Sequence, residues 1–296
     1  MAIDGLIDWS VIGAILSALE PERKVGRPGY PALSLFKALL LQSWYGLSDP
    51  GLEDALADRV SFRRFAGLSW EDGTPDHSVI SRFRTSLAEQ ALDRKLFDEV
   101  LRQLDTKGML LRQGTLIDAT LIAAAVAPPP RHAPGNGMRS DRDPDARWAK
   151  KGGKATFGYK LHAAVDHGSQ LVRDARLTSA NVNDCVVGPG LVQGDEGAAC
   201  ADKAYDSKIM RDLLKDQKIR DGIMRRPNKH HKLPRHEIAR NTALGTMRGR
   251  VEGLFATLKR LYGKGRLRLL GMTRNRADLM ITLTAINLRR AVLLTT

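Results

Sequence analysis

The run Thr115-Leu116-Ile117-Asp118-Ala119-Thr120-Leu121-Ile122 is β-prone and apolar apart from the one carboxylate within it. Residues of this kind in so short a stretch read as a strand with a buried face. A carboxylate there is costly to bury unless it is paired or holds a metal ion. Asp118 is therefore a candidate ligand; the plainer alternative is a strand-end residue whose side chain reaches solvent.

Downstream, residues 127–156 are rich in proline, glycine and charge and are expected to form a long mobile loop. Regular structure resumes in Tyr159-Lys160-Leu161-His162-Ala163-Ala164-Val165-Asp166 and in Leu171-Val172-Arg173-Asp174-Ala175-Arg176-Leu177. Gly168-Ser169 between these runs predicts a hairpin. A helix is expected after Asn183-Asp184. Ala198-Ala199-Cys200-Ala201-Asp202 reads as a buried strand ending in a carboxylate, and Ser207–Gln217 as a helix. Helices over Thr246–Tyr262 and Arg274–Leu294 close the chain. Three strands, a helix, a strand and further helices fit an α/β fold, an RNase H-like mixed sheet flanked by helices.

Upstream the pattern is helical. Leu33, Leu35, Phe36, Leu39, Leu40 and Trp44 recur at helical spacing, and Gly46-Leu47-Ser48-Asp49-Pro50 stops that helix. A short helix follows from Leu52 to Asp58. Thr74-Pro75-Asp76-His77-Ser78 opens another, with Asp76 as its cap. That helix carries Ile80, Phe83 and Leu87 on one face and Arg82 on another. Short helices ending in one with Arg82 and Arg84 suggest a helix-turn-helix module; an ordinary helical bundle is the alternative. The composition changes near Leu110. The expected division is an all-helical N-terminal DNA-binding domain over 1–110 and a catalytic domain over 111–296.

Across 296 residues, 47 are Lys or Arg and 33 are Asp or Glu, a net charge of +14. Such a surplus favours a polyanionic partner, because each neutralised phosphate releases counterions. No apolar run approaches the roughly 18–20 residues needed to cross a bilayer, so no membrane role is expected. Met1-Ala2-Ile3-Asp4 lacks the basic start and apolar stretch of a secretory signal. Cys185 and Cys200 have no metal spacing and read as reduced thiols. The expected location is the cytoplasm, on the nucleoid when DNA is bound.

Charge alone leaves ribosomal, membrane-surface and nucleic-acid enzyme readings open; the placement of the carboxylates separates them. Phosphodiester chemistry through two divalent cations needs about three carboxylates converging from rigid elements. Asp118 is one candidate. Asp202 sits at a strand-to-helix junction, where α/β sites lie; its alternative role is a helix cap. Asp166 and Asp206 are rivals for these places. Glu252 lies in a helix whose apolar stripe is Val251, Leu254, Phe255 and Leu258. Arg248, Glu252 and Lys259 fall within about 40° of one another, roughly a quarter turn from that stripe. Taken alone, Arg248 and Glu252 also read as a solvated ion pair one helical turn apart, worth a few tenths of a kcal/mol, about 0.3.

In combination these motifs resemble the DDE insertion-sequence transposases related to insertion sequence five. The signature Arg-x3-Glu-x6-Lys stands here as Arg248, Glu252 and Lys259. The family often has a Tyr three residues before the Arg, where this chain has Gly245. Ala201-Asp202-Lys203-Ala204-Tyr205-Asp206-Ser207 is similar to the second-Asp block, and Leu116-Ile117-Asp118-Ala119-Thr120 to the first. Residues 31–87 resemble the family's N-terminal domain.

The resemblance implies that Asp118, Asp202 and Glu252 are catalytic and hold two Mg²⁺ ions, with Mn²⁺ a possible substitute. It implies that Arg248 and Lys259 contact DNA near the scissile phosphate and that the N-terminal region reads terminal inverted repeats. Lys229 and Lys232 are expected to add sequence-independent affinity for DNA. The partner is double-stranded DNA, both repeats and target, and joining two ends implies a homodimer or larger assembly. Rival readings are a transposase-like regulator without activity and a nuclease that cuts but does not join.

Overall fold

The computed structural model describes residues 2–19, 29–71, 73–129, 139–227 and 232–295, and at Arg248 the backbone alone. The chain divides into two compact units, Met1–Met109 together with Thr273–Thr296, and Leu110–Met272.

The first unit is helical: α1 (Trp9–Leu16), α2 (Ala32–Tyr45), α3 (Asp49–Asp58), α4 (Val60–Ala66), α5 (His77–Glu89) and α6 (Leu92–Thr106). Gly46, at φ 64°, ends α2 in the left-handed conformation that glycine adopts without strain. Two residues later Ser48 accepts from Gly51 N–H at 3.1 Å and starts α3, with Pro50 in its first turn. The stretch expected only to stop one helix therefore also starts the next. Asp76 caps α5, accepting from Val79 N–H at 2.8 Å, and Ile80, Phe83 and Leu87 are buried.

The second unit is built on one mixed sheet of β1 (Thr115–Ala123), β2 (Arg147–Lys151), β3 (Lys154–Asp166), β4 (Val172–Ser179), β5 (Ala198–Ala201) and β6 (Arg220–Ile223). β1 lies at its centre, antiparallel to β3 on one side and parallel to β5 on the other, with β6 beyond β5. The long β3 pairs first with β2 and then with β4. The hairpin expected around Gly168-Ser169 is the β3–β4 pair. Helices α7 (Asp184–Val187), α8 (Lys208–Asp216) and α9 (Arg235–Arg260) follow, then α10 (Met272–Thr295). This is the RNase H-like arrangement of a mixed sheet with flanking helices. On one face Ile117, Ala199 and Ala201 form a core with Met210 and Leu214 of α8. Each large apolar side chain fully buried there contributes roughly 1.5–3 kcal/mol.

Two expectations are corrected. Residues 127–156 are not one loop: Arg147–Lys151 and Lys154 onward are paired strands, closed by Gly152 and Gly153 at φ 56° and 83°. Paired positive φ values suit a two-residue hairpin turn, so these glycines join strands rather than loosen a loop. Residues 130–138 within that range lie outside the described residues. The C-terminal helix, placed by sequence in the second domain, groups from Thr273 onward with the first unit. Polar ties explain this: Trp44 Nε1 donates to Ala285 O at 2.8 Å, and Arg276 Nε to Asp93 Oδ2 at 3.1 Å. Among the described residues no helix is long and apolar enough to cross a membrane.

Candidate active site

β1 and β5 run parallel with Leu116 beside Cys200 and Ile117 beside Ala201. One step further along stand Asp118, within β1, and Asp202, the first residue after β5. Asp202 keeps an extended backbone, φ −75° and ψ 173°, and caps the turn that follows by accepting from Ala204 N–H at 2.7 Å. Side chains alternate along a strand, and Ile117 and Ala201 belong to the core under α8. Both carboxylates therefore point to the opposite face. Asp118 is 5% exposed and accepts from Ala119 N–H at 2.8 Å; Asp202 is half-buried. The cap expected as an alternative to ligation at Asp202 is present, and it uses one oxygen.

α9 packs against β1 and β5. Its buried Val251, Leu254, Phe255 and Leu258 take no part in the core on the α8 side, so it covers the carboxylate face. The helix follows β1. Arg250 Nη1 donates to His167 O at 2.8 Å near the strand's start, and Lys259 lines a cleft with Thr120, Leu121, Ala123 and Ala124 near its end. Glu252 lies between these anchors, exposed, at the margin of the apolar stripe. The three acids are hard oxygen donors of the kind a divalent cation takes. Two of them are brought together; the third is on the covering helix with its side chain in solvent. Among the described residues no three His, Cys, Asp or Glu side chains converge closely enough to hold an ion.

The rival carboxylates have other work. Asp166 Oδ1 accepts from Arg112 N–H and Oδ2 from both Ser169 N–H and Oγ–H, each at 2.8 Å, which builds the β3–β4 turn. Asp206 accepts from Arg211 Nε at 3.0 Å and Arg226 N–H at 2.8 Å.

Residues 109–288 match the family described as Transposase DDE domain, and residues 1–86 match Transposase domain (DUF772). The chain belongs to the DDE transposase family. It is also similar to a solved piggyBac transposase synaptic complex with hairpin DNA, at 14% identity and a TM-score of 0.49. That similarity covers 98% of this chain and 72% of the other.

The cations of this transposase divide sharply. Arg82 is exposed on α5. Arg84 is not: it is 6% exposed, donating to Asp49 Oδ2 at 3.1 Å and Gln42 Oε1 at 2.8 Å. Burial alone would raise the Asp49 carboxyl, but the Arg84 hydrogen bonds and charge hold it below the usual range. The expected DNA contact at Arg84 is corrected to an internal ion pair. Lys232 is exposed, Lys229 lies outside the described residues, and α9 carries Arg248 in its backbone. Lys259 is half-buried, and burial first, then Lys151 and Lys154, push its ammonium below the usual lysine range. These two lysines and Arg266 share its cleft and were not among the sequence candidates. The signal for them was Lys150-Lys151-Gly152-Gly153-Lys154, a Gly-Gly hairpin between cations.

On the α8 side of the sheet lies a second polar group. His162 is wholly buried, 3.3 Å from Tyr205 Oη and 3.1 Å from Thr178 Oγ1. Asp184 lies 3.9 Å away and accepts from Lys160 Nζ at 2.7 Å. Burial lowers the imidazole pKa to about 4; Asp184 opposes this, while Lys160 and Arg176 add to it. The ring is neutral near pH 7.

Proposed function

We propose that this transposase cuts DNA at the terminal inverted repeats of an insertion sequence and joins the freed end to target DNA, acting in the cytoplasm on the nucleoid. The observation that carries the reading is the parallel register that sets Asp118 beside Asp202 on the face covered by the helix of Glu252. These three side chains would hold two Mg²⁺ ions, with Mn²⁺ as substitute, which activate the attacking oxygen and stabilise the leaving one. Water hydrolyses the phosphodiester at the repeat end, leaving a 3′-OH on the element and a 5′-phosphate on the flank. That 3′-OH then displaces a 3′-oxygen in target DNA by in-line attack. Arg248 and Lys259 hold strand phosphates in register, and Arg82 of the N-terminal unit contacts the repeat, with Lys232 and Lys229 adding sequence-independent attraction. Closing Glu252 onto the two aspartates accompanies DNA and metal binding, and two copies of the chain pair the two ends.

The test is cleavage of a labelled duplex carrying the element's own terminal repeat, with Mg²⁺ or Mn²⁺. Asp202→Asn and Glu252→Gln are each expected to lower the rate by about 10³-fold or more, on the scale of losing a charge-stabilising group, while repeat binding persists. A wild type that binds the repeat and never cuts supports the regulator reading, which the solvent-facing Glu252 favours. Cutting that survives both substitutions would place the chemistry on other residues.

A further inference from the structure

The cleft at the end of β1 has a volume of about 760 Å³, and among the described residues its lining contains four cations and no acid. The cations converge from separate segments: Lys151 and Lys154 flank the β2–β3 turn, Lys259 comes from the last turns of α9, and Arg266 from the segment after it. Lys151 Nζ donates to Ala119 O at 3.1 Å, which sets an ammonium beside the residue that follows Asp118. Arg266 is fixed by donating to Ala124 O at 3.0 Å and Ala125 O at 2.9 Å, so its guanidinium is pre-positioned at the wall. Trp148 and Phe157, with ring centroids 5.6 Å apart, supply an aromatic surface in the same cleft.

Cations gathered without counter-charges repel one another, and a bound polyanion relieves that repulsion. At Lys259 burial first, and then the charges of Lys151 and Lys154, lower the ammonium pKa. Cations interleaved with aromatic rings are how proteins hold single strands, the cations tracking phosphates and the rings taking bases. The volume falls in the small-ligand range of roughly 300–1,000 Å³, room enough for individual nucleotides.

We propose that this cleft is a binding site for a single DNA strand leaving the carboxylates, with Lys151 and Lys154 of the β2–β3 hairpin as its phosphate-binding residues. The proposal rests on the reading of Asp118 and Asp202 as the place where DNA is processed. The Gly152-Gly153 turn sets the two lysines on either side of a tip that has no side chains of its own. The hairpin is thus a specific part of the DNA path, distinct from the α9 cations that the Arg-x3-Glu-x6-Lys signature identifies.

The test measures binding by the full chain in EDTA, where no cutting occurs. Two fluorescein-labelled probes are compared across a salt series: a blunt duplex, and the same duplex with a single-stranded tail. Lys151→Gln/Lys154→Gln is expected to lose affinity for the tailed probe by about tenfold and to reduce its log–log salt slope by about 1.4, near 0.7 per lost single-strand contact. Lys154→Gln alone, at an exposed side chain, is expected to give about half that change. A control pair on the far side of the sheet, Lys208→Gln/Lys215→Gln, is expected to change neither probe selectively. Wild-type slopes in the hairpin variants, or equal losses on both probes, overturn the proposal. An enzyme that cuts normally while ignoring Lys151 and Lys154 defeats this inference alone. A protein that holds the tail through these lysines yet never cuts defeats the catalytic reading alone.

Discussion

The two faces of the central sheet carry polar groups of opposite character, although they share the same strands. On the α8 face, His162 is enclosed by Tyr205, Thr178 and the Asp184–Lys160 pair, and every contact is made within the unit. On the α9 face, Asp118 and Asp202 stand side by side, Glu252 is exposed above the sheet, and cations line the cleft beyond. The first group is satisfied by the fold. The second gathers carboxylates on the sheet and cations in the cleft beyond it, with Glu252 turned to solvent. The enclosed group is a structural network, and the open face is where the proposed chemistry is placed.

The largest expected effect breaks that comparison on the open side. Asp118→Asn keeps the shape of the side chain and removes one of two neighbouring carboxylate charges, so the repulsion between them falls. Thermal stability without metal is expected to hold or rise slightly. Cutting of the repeat is expected to fall by about 10³-fold or more, equivalent to roughly 4 kcal/mol of transition-state stabilisation. The two readings are taken on one preparation by melting and single-turnover kinetics. A variant that loses stability and keeps its rate would make Asp118 a structural residue and invert the assignment of the faces.

The closed side offers a pH effect of intermediate size. His162 titrates near 4 in the fold against 6.5 for a free imidazole. Above pH 6.5 both states are neutral and the stability is fully present. As pH falls, the unfolded chain takes up the proton first, and stability is lost progressively down to about pH 4. The loss is on the order of 3 kcal/mol. Many carboxylates titrate in the same window, so the quantity to measure is the difference between wild type and His162→Gln in urea midpoints. That difference is expected to change with pH between 6.5 and 4, and a constant difference would remove His162 as the cause.

Much of this was legible in the sequence where one segment carried its own signal. The strands around Asp118, His162 and Cys200, and the Asp76 cap, follow from local pattern and turn chemistry. What was not legible depended on partners far along the chain. Arg84 is buried because Asp49, 35 residues away, neutralises it, so its place beside Arg82 in the sequence misleads. β2 has no apolar alternation because it pairs on one side only, with β3. The first half of α9 lacks an apolar stripe and is tied instead by Arg240 to Ile223 O at 2.9 Å and by Asn241 to Arg225 O at 3.0 Å. The helix therefore starts at Arg235 rather than Thr246. The pairing of Asp118 with Asp202 needed the parallel register, which no local pattern contains; among the described residues Glu252 does not join them.

The smallest expected effect sharpens the comparison most, because it lies only three residues from a proposed catalytic acid. Tyr205 follows Asp202 closely in sequence but turns into the α8 core, fully buried, 3.3 Å from His162 Nδ1. Tyr205→Phe keeps the ring and removes the hydroxyl, so the expected loss is about 1 kcal/mol of stability, the worth of one neutral hydrogen bond. The rate of cutting is expected to stay within about twofold, since a misplacement would have to pass through the strand to reach Asp202. Urea melts and single-turnover cutting at the repeat read the two quantities separately. A variant that cuts poorly at unchanged stability would show that the hydroxyl steadies the Asp202 turn, and the two faces would then act as one site.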